Sequence, residues 1–350
     1  MKRSLFIAAL FFAFSTLFAN TLQITGYLPS YRLESAVRAV GSPVLDLSGF
    51  SPDYTAPRYI SQSNLEFAYT SFPEGYLYES IESWYGNNVD RLIYFSVIPN
   101  SDGTLDRINV DQRDLNRLNN IKHLYGTELI LALSGNSVNF VAVSEDDDTR
   151  KKFLEELLDY ALAEGFSGID FDWEYPKDEE QLTLFEKLID DAALLMSPQG
   201  LSISAAVSRF KPLSEDVLAK LDRINLMAYD NFGRHSTYES AVEASEYLQI
   251  KYNVEPGKIN LGIPFYGRIF SGLDPQYWSR TKIYRQLVEE FTLSPSQDEA
   301  GGIYFNGIDT VKRKTAYALE QGLGGIMIWE LGQDSIGSRS LLKAIREEIK

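Results

Sequence analysis

Short apolar runs recur along the chain at fairly even spacing. Each run has five to seven residues, which is the length of a strand buried in a parallel sheet. Eight such runs occur, at residues 22–28, 92–97, 129–133, 169–173, 201–207, 224–228, 259–265 and 325–329.

Segments with a helical period separate most of these runs. In residues 151–164 and 309–321, for example, apolar residues recur every three to four positions. Eight alternations of strand and helix predict an α/β fold of the (β/α)8 TIM-barrel type. The alternative is a doubly wound open sheet, but the sequence contains neither GxGxxG nor a phosphate loop.

Domain organisation follows from the same pattern. No repeat or Pro/Ser-rich linker marks a second domain, so residues 20–350 are predicted to form one domain. Residues 50–90, rich in Tyr, Ser and Pro, are predicted to form a long loop with short helices at the edge of the active face.

The N-terminus has the features of a secretory signal peptide. Lys2 and Arg3 precede an apolar run, residues 5–18, that ends before the small residue Ala19. The run is shorter than the ~20 residues of a membrane-spanning helix. We therefore expect residues 1–19 to be a signal peptide and the protein to be secreted or periplasmic. An uncleaved membrane anchor is the alternative, because Leu17 is large for a cleavage site.

Composition excludes several kinds of chemistry. The chain has no cysteine, which removes disulfides and thiolate sites, and only two histidines, His123 and His235. Its net charge of −16 disfavours a nucleic-acid partner. Acid–base chemistry must therefore use carboxylates, and no metal or organic cofactor is expected.

The segment GFSGIDFDWEYP, residues 165–176, carries the candidate chemistry. Strand alternation places Asp170, Asp172 and Glu174 on one face, toward the barrel interior. At a spacing of about 6.6 Å, two ionised carboxylates repel by roughly 2.5 kcal/mol at an effective dielectric near 20. Such a row is predicted to share protons, and Glu174, at the open end, is placed to meet a substrate.

Two alternatives for this row remain open. The carboxylates bind Ca²⁺ or Mg²⁺, or they are a solvated strand end. The same-face spacing and the aromatic flanks favour catalysis, because hard-cation sites usually draw several ligands from one flexible loop.

These residues resemble the DxxDxDxE motif of glycoside hydrolase family 18, the chitinases and endo-N-acetylglucosaminidases. The motif appears here as Ser167, Asp170, Asp172, Glu174, Tyr175 and Pro176. Further family-like segments follow in family order: GYLPSY (26–31), LALSG (131–135), NLMAYD (225–230), GIPFYGR (262–268) and GGIMIWE (324–330).

The resemblance implies retaining, substrate-assisted hydrolysis, in which the 2-acetamido oxygen of the sugar attacks and an oxazolinium ion forms. Glu174 is implied as proton donor, and Asp172 as the group that holds the acetamido N–H. Asp170 shares a proton with Asp172, and Tyr229 donates to the acetamido oxygen. The implied sugar-binding residues are Trp329, Met227, Asp230, Tyr27, Tyr266 and Arg268. Core or rim packing is the alternative for Tyr27, Tyr266 and Arg268.

Two positions depart from the family pattern. Ser167 replaces the first Asp of the motif, and Ala132 replaces the serine of the third-strand SxGG, unless Ser134 takes its place. Both positions lie near Asp170 in the family. We expect the departures to lower the rate or to shift the pH optimum.

The expected substrate is a polymer of β-1,4-linked N-acetylglucosamine, such as chitin or its oligosaccharides. Residues 269–323, with a helix predicted at 282–291, leave little room for the α+β insertion of many chitinases. We therefore expect a monomeric, endo-acting and non-processive enzyme. The alternatives are an endo-N-acetylglucosaminidase acting on glycoproteins, a peptidoglycan hydrolase, and a lectin-like protein without catalysis.

Overall fold

A computed structural model describes residues 22–33, 81–210, 212–269 and 281–350. Its strands, numbered in chain order, are β1 (Gln23–Pro29), β2 (Arg91–Pro99), β3 (Leu105–Asp106), β4 (Glu128–Ser134), β5 (Gly168–Asp172), β6 (Ser202–Val207), β7 (Arg223–Leu226), β8 (Ile259–Pro264), β9 (Tyr266–Ile269), β10 (Thr281–Ile283), β11 (Glu299–Ala300), β12 (Ile303–Tyr304) and β13 (Gly325–Trp329).

Eight of these strands close a parallel barrel in the order β1-β13-β8-β7-β6-β5-β4-β2, with β2 pairing back onto β1. These eight correspond to the eight apolar runs of the sequence, so the (β/α)8 barrel is confirmed. Some boundaries differ. β7 ends at Leu226, two residues before the predicted end of its run.

Helices surround the barrel. In the described residues they are α1 (Ile81–Asn88), α2 (Gln112–Tyr125), α3 (Ser137–Glu145), α4 (Asp147–Ala163), α5 (Glu179–Met196), α6 (Glu215–Lys220), α7 (Tyr238–Lys251), α8 (Tyr284–Glu290), α9 (Ile308–Glu320) and α10 (Leu341–Ile349). The predicted helices 151–164 and 309–321 are α4 and α9. The side chain of Asp146 caps α4 by accepting from the Thr149 amide, which satisfies one of the free N–H groups of the first turn.

The apolar core has two layers. The larger layer lies between strands and helices and contains the outward residues of β5, Ile169 and Phe171. The smaller layer fills the barrel interior, where Tyr27, Ile130 and Met327 pack together. This division follows from strand alternation, which sends successive side chains to opposite faces. The inner layer leaves room for polar groups, and these form the candidate site.

A small antiparallel sheet, β10-β9-β12-β11, lies between the seventh and eighth barrel strands. Sequence reasoning placed a helix at 282–291 but missed this sheet. The helix α8 begins later, at Tyr284, because β10 pairs with β9. These strands have two to four residues, too few for a periodic signal. The described part of this excursion is small, in agreement with the absence of a sizeable insertion.

Two predictions fall wholly or largely outside the described residues. They are the signal peptide, residues 1–19, and most of the irregular segment 50–90, of which the last part forms α1. Within the described ranges, no helix is both long and apolar enough to cross a membrane.

Candidate active site

The carboxylates of β5 and the residues after it form the centre of the site. Asp170 and Asp172 are buried on the inner face, and Glu174 lies two residues beyond the strand end, at the mouth of the barrel, where it is exposed. Trp173 points the opposite way. Its ring stacks on Phe140 at 4.8 Å, and its Nε1 donates to Ser137 Oγ at 3.1 Å. These contacts to α3 fix the direction of the chain, so Glu174 faces the mouth.

Asp170 is held by three neutral donors. It accepts hydrogen bonds from the Tyr27 hydroxyl at 2.5 Å, Ser204 Oγ at 2.6 Å and Asn225 Nδ2 at 2.8 Å. Complete burial raises the pKa of this carboxyl, while the three hydrogen bonds oppose the rise. The donors come from β1, β6 and β7, so Asp170 links strands that are remote along the chain.

The strand register decides how the departures from the family pattern act. Ala132 of β4 pairs with Asp170, and Ser134 pairs with Asp172. Ala132 is thus the residue beside Asp170, and Ser134 does not take its place. Ser167 behaves differently. Its hydroxyl accepts from Lys122 Nζ of α2 at 3.4 Å, toward the helix layer. The expectation that this departure disturbs Asp170 is wrong for Ser167, because alternation turns its side chain outward.

Asp172 and Glu174 form a hydrogen-bonded pair. Burial raises the pKa of Asp172 well above its ordinary value, and the charges of Glu174 and Asp170 raise it further. The pKa of Glu174 is also raised by loss of hydration, although its side chain reaches solvent, while hydrogen bonds with Tyr175 and Asp172 oppose the rise. The pair therefore retains a proton at a pH where free carboxyls are ionised.

The resemblance implied a proton shared between Asp170 and Asp172, and this stays a prediction. Here both oxygens of Asp170 are engaged by Tyr27, Ser204 and Asn225, and the partner of Asp172 is Glu174. Among the described residues, no N–H or hydroxyl group donates to the buried Asp172 Oδ1.

Tyr229 belongs to the inner apolar layer of the barrel. Its hydroxyl lies 3.8 Å from Met327 Sδ, and its ring meets the edge of Tyr266 at 6.3 Å. Met227 belongs to the same inner apolar cluster. Gly262 of β8 makes this packing possible, since a Cβ there would collide with the Leu226 carbonyl and come within 2.9 Å of the Tyr229 ring.

Asp230 is locked into a polar cluster beside Tyr229. Its Oδ1 accepts from the Tyr266 hydroxyl at 2.7 Å and lies 2.8 Å from Arg268 NH1 and 3.4 Å from His235 Nδ1. Burial alone would raise the pKa of Asp230, but the contacts with His235, Tyr266 and Arg268 outweigh it and lower the pKa to about 2. Asp230 is therefore a fixed anion, with its backbone in the left-handed region at φ 59°.

Trp329, the last residue of β13, lies half-buried at the mouth. Its ring contacts Tyr27 at 5.3 Å and Phe95 at 5.1 Å between centroids. These two rings hold the indole in place. The barrel thus presents an aromatic surface beside the carboxylates.

The structure brings all ten predicted site residues into the barrel interior or its mouth. It also adds Ser204, Asn225, Phe95 and His235, which sequence reasoning did not assign. Ser204 and Asn225 carried a usable signal, because they are polar residues on the inward face of otherwise apolar strands. Among the described residues, no three acidic or histidine side chains cluster as ligands for one metal ion.

A closed (β/α)8 barrel with paired carboxylates at the end of a strand defines a glycosidase-type scaffold. The sequence model of glycosyl hydrolases family 18 matches residues 62–334, and the chain belongs to this family.

Similar proteins carry chitinase names. Endochitinase 1 of Metarhizium robertsii is 32% identical over 259 residues, which are 59% of this chain and 61% of that protein. Chitotriosidase-1 of Mus musculus is 25% identical over 268 residues, 57% of this chain and 58% of that protein. The chain thus spans about six-tenths of the length of these curated relatives.

Solved structures share the fold. A family 18 chitinase from Flavobacterium johnsoniae superimposes with a TM-score of 0.71 at 22% identity, covering 94% of each chain. A chitinase from Bacteroides thetaiotaomicron gives a TM-score of 0.71 at 18% identity, covering 94% of this chain and 96% of that chain.

Proposed function

We propose that this protein hydrolyses β-1,4-linked N-acetylglucosamine polymers of the chitin type, with retention of the anomeric configuration. The observation that carries the proposal is the pair formed by Glu174, exposed at the mouth, and Asp172, buried beneath it. The pKa values of both carboxyls are raised, which favours a proton held by the pair, and Glu174 lies where a substrate can reach it. Membership of family 18 and the chitinase names of the relatives support it.

The placement of the carboxylates favours catalysis assisted by the substrate. A retaining glycosidase normally places a second carboxylate across the sugar from the acid. Asp172 is the last residue of β5 and lies deeper than Glu174, which follows two residues later, so both approach from the same side. Asp230, another carboxylate near Glu174, is held by Arg268 and Tyr266. The nucleophile is therefore the 2-acetamido oxygen of the sugar itself.

The reaction proceeds in two balanced steps. The acetamido oxygen bonds to the anomeric carbon as the glycosidic C–O bond breaks, and Glu174 gives its proton to the departing oxygen. Asp172 accepts a hydrogen bond from the acetamido N–H, and its negative charge offsets the positive charge of the oxazolinium ion. Water then attacks the anomeric carbon as the bond between that carbon and the acetamido oxygen breaks, which restores the acetamido group, and the water gives a proton to Glu174, which restores the acid.

The pairing of Asp172 with Glu174 supplies the proton at the right moment. Before the sugar binds, the two carboxyls share a proton. When the acetamido N–H donates to Asp172, that carboxylate is stabilised as an anion, so the proton moves to Glu174. Binding of a sugar with a 2-acetamido group therefore leaves Glu174 protonated and able to act as the general acid.

The remaining contacts suit an N-acetylated sugar. The Trp329 indole stacks on the apolar face of the ring, and the Tyr229 hydroxyl donates to the acetamido oxygen. The described part of the excursion between β8 and β13 is small, and this supports the proposal of an open groove with endo-acting, non-processive cleavage. We propose further that the protein is a monomer that is secreted or periplasmic.

The test is hydrolysis of N-acetylglucosamine oligomers, peptidoglycan and an N-glycoprotein by the wild type and by Glu174→Gln. We expect the oligomers to be cleaved with retention, as followed by the anomeric proton signals. Glu174→Gln should lower the rate by about 10²–10⁴-fold, the usual contribution of a general acid. Glu155→Gln, which changes an exposed carboxylate on α4, is the matched control.

The other outcomes separate the rival functions. Cleavage of peptidoglycan or of the glycoprotein with intact oligomers would replace the chitinase proposal by one of the other hydrolases. Oligomer binding without cleavage would favour a lectin-like protein. Activity abolished by EDTA would favour the alternative in which the carboxylates bind a metal ion.

A further inference from the structure

Lys314, in the middle of α9, is a completely buried lysine outside the carboxylate cluster. Its Nζ donates to three oxygens: the Ser236 carbonyl at 3.0 Å, Ser236 Oγ at 2.8 Å and Asn306 Oδ1 at 2.8 Å. Three acceptors match the three N–H donors of an ammonium group.

The environment of Lys314 is unusual for a lysine. Buried lysines are normally paired with an anion, because an isolated charge in a low-dielectric interior is unfavourable. The hydrogen-bond acceptors here are all neutral. Burial lowers the pKa of Lys314 to about 7, although the charges of Asp298 and Glu239 oppose the change. Two of the three oxygens that accept hydrogen bonds from Lys314 belong to Ser236, so Ser236 is its main partner.

Ser236 fixes both ends of the segment that follows β7, residues 228–236. Its hydroxyl donates to the Ala228 carbonyl at 3.3 Å, so the end of the segment is tied to its beginning. Asn306 Nδ2 donates to the Ser236 carbonyl at 2.7 Å. Lys314 and Asn306 thus both donate hydrogen bonds to Ser236.

The same segment carries two residues of the proposed site. His235, next to Ser236, lies against the Tyr266 ring with centroids 5.2 Å apart, and the Tyr266 hydroxyl holds Asp230 at 2.7 Å. The Asn231 amide donates to the His235 carbonyl at 3.0 Å, which closes the turn between them. A displacement of Ser236 would therefore move His235 and, through it, Asp230 and Tyr229.

We propose that Lys314 is a positioning residue that fixes segment 228–236 and thereby places Tyr229 and Asp230 at the mouth of the barrel. The part played by Tyr229 and Asp230 as sugar contacts rests on the proposed function. The effect of Lys314 on the segment does not.

Lys314→Met is the informative substitution. It keeps a long unbranched side chain in the buried space but removes all three N–H donors of the ammonium group, so the Ser236 and Asn306 oxygens each lose one buried hydrogen bond. Ser236→Ala is a milder change that removes one acceptor and the hydroxyl bond to Ala228. Val311→Ala is the control, because Val311 is fully buried in the same helix and its truncation destabilises the fold without removing a hydrogen bond to Ser236.

Two measurements are made on each full-length variant in a Glu174→Gln background. The first is hydrogen–deuterium exchange of peptides covering residues 228–236. The second is affinity for the N-acetylglucosamine tetramer by calorimetry. For Lys314→Met we expect exchange in this segment to be at least tenfold faster and affinity at least tenfold weaker than in the parent. Ser236→Ala should show smaller changes in the same direction, and Val311→Ala should stay within twofold of the parent in both.

The outcomes separate this proposal from the proposed function. Exchange in 228–236 that is no faster in Lys314→Met and Ser236→Ala than in Val311→Ala would overturn the positioning role. Faster exchange with unchanged affinity would overturn the link to Tyr229 and Asp230. If the parent bound no oligomer while wild type cleaved none, the proposed function would fail, and exchange would still decide whether Lys314 holds the segment.

Discussion

Ser204 donates a hydrogen bond of 2.6 Å to Asp170 from the adjacent strand β6. On the opposite side of β5, the residue that pairs with Asp170 is Ala132, which has no polar side chain. The hydroxyl that the family pattern places on β4 is thus absent, and Asp170 receives a hydroxyl hydrogen bond from β6. Asp170 keeps three donors in spite of the departure.

The hydrogen bond from Ser204 to Asp170 gives the first prediction. Hydrogen bonds to charged groups contribute about 1.5–3 kcal/mol, so Ser204→Ala should lower kcat/KM by roughly tenfold or more. Because the Ser204 bond lowers the pKa of Asp170, its loss should raise that pKa and shift the pH profile. The measurement is kcat/KM for an N-acetylglucosamine oligomer as a function of pH.

Rescue distinguishes this role from a general packing defect. Ala132→Ser in the Ser204→Ala background returns a hydroxyl to Asp170 from β4. We expect it to restore most of the activity and the wild-type pH profile. A double variant as impaired as Ser204→Ala alone would contradict the role assigned to the hydroxyl.

The second prediction concerns the alkaline side of the pH profile. The pKa values of Asp172 and Glu174 are both raised, and the acid must be protonated to act. As pH rises through the upper pKa of the pair, kcat/KM should fall by about tenfold per pH unit. This limb should lie well above the pKa of a free carboxyl. An alkaline limb at the ordinary carboxyl pKa would count against the shared proton.

The third prediction concerns stability. The folded pKa of Asp172 lies above its unfolded value, so between these values the folded state binds more protons and stability falls as pH rises. Asp172→Asn removes the loss of stability that comes from ionising a buried carboxyl, because Asn does not ionise. The variant should be inactive but should have a higher Tm than wild type at pH 7, by about 1–2 °C for each kcal/mol gained.

Measuring the change in Tm caused by Asp172→Asn at two pH values tests both its direction and the pH range in which it occurs. Near pH 4 both states of wild type hold more of their protons, so the gain in Tm from Asp172→Asn should be smaller than at pH 7. Glu155→Gln, at an exposed position, should show no such difference. An equal gain at both pH values would rule out titration of Asp172 as its cause.

The fourth prediction concerns the aromatic surface. Trp329→Ala removes the indole that Tyr27 and Phe95 hold at the mouth. In a Glu174→Gln background, affinity for the N-acetylglucosamine tetramer should fall at least about tenfold, because stacking and apolar burial are lost. Trp84→Phe, a change in the outer layer on α1, is the control and should leave affinity unchanged. Unchanged calorimetric affinity in Trp329→Ala would remove Trp329 from the sugar site.

Local periodicity in the sequence was sufficient for the architecture. A two-residue or 3.6-residue period depends on neighbouring positions alone, so all eight barrel strands and helices such as α4 and α9 were predicted. The row of Asp170, Asp172 and Glu174 was visible for the same reason. The strands of the small sheet, at two to four residues, are too short to show a period.

Partnerships between remote residues were decided by the tertiary structure. The donors to Asp170 lie 143, 34 and 55 positions away along the chain, at Tyr27, Ser204 and Asn225. Lys314 reaches Ser236 across 78 positions. Barrel closure and strand register bring these groups together. The sequence alone determined which residues could do chemistry, but burial and hydrogen bonding, which set their protonation, exist only once the barrel is closed.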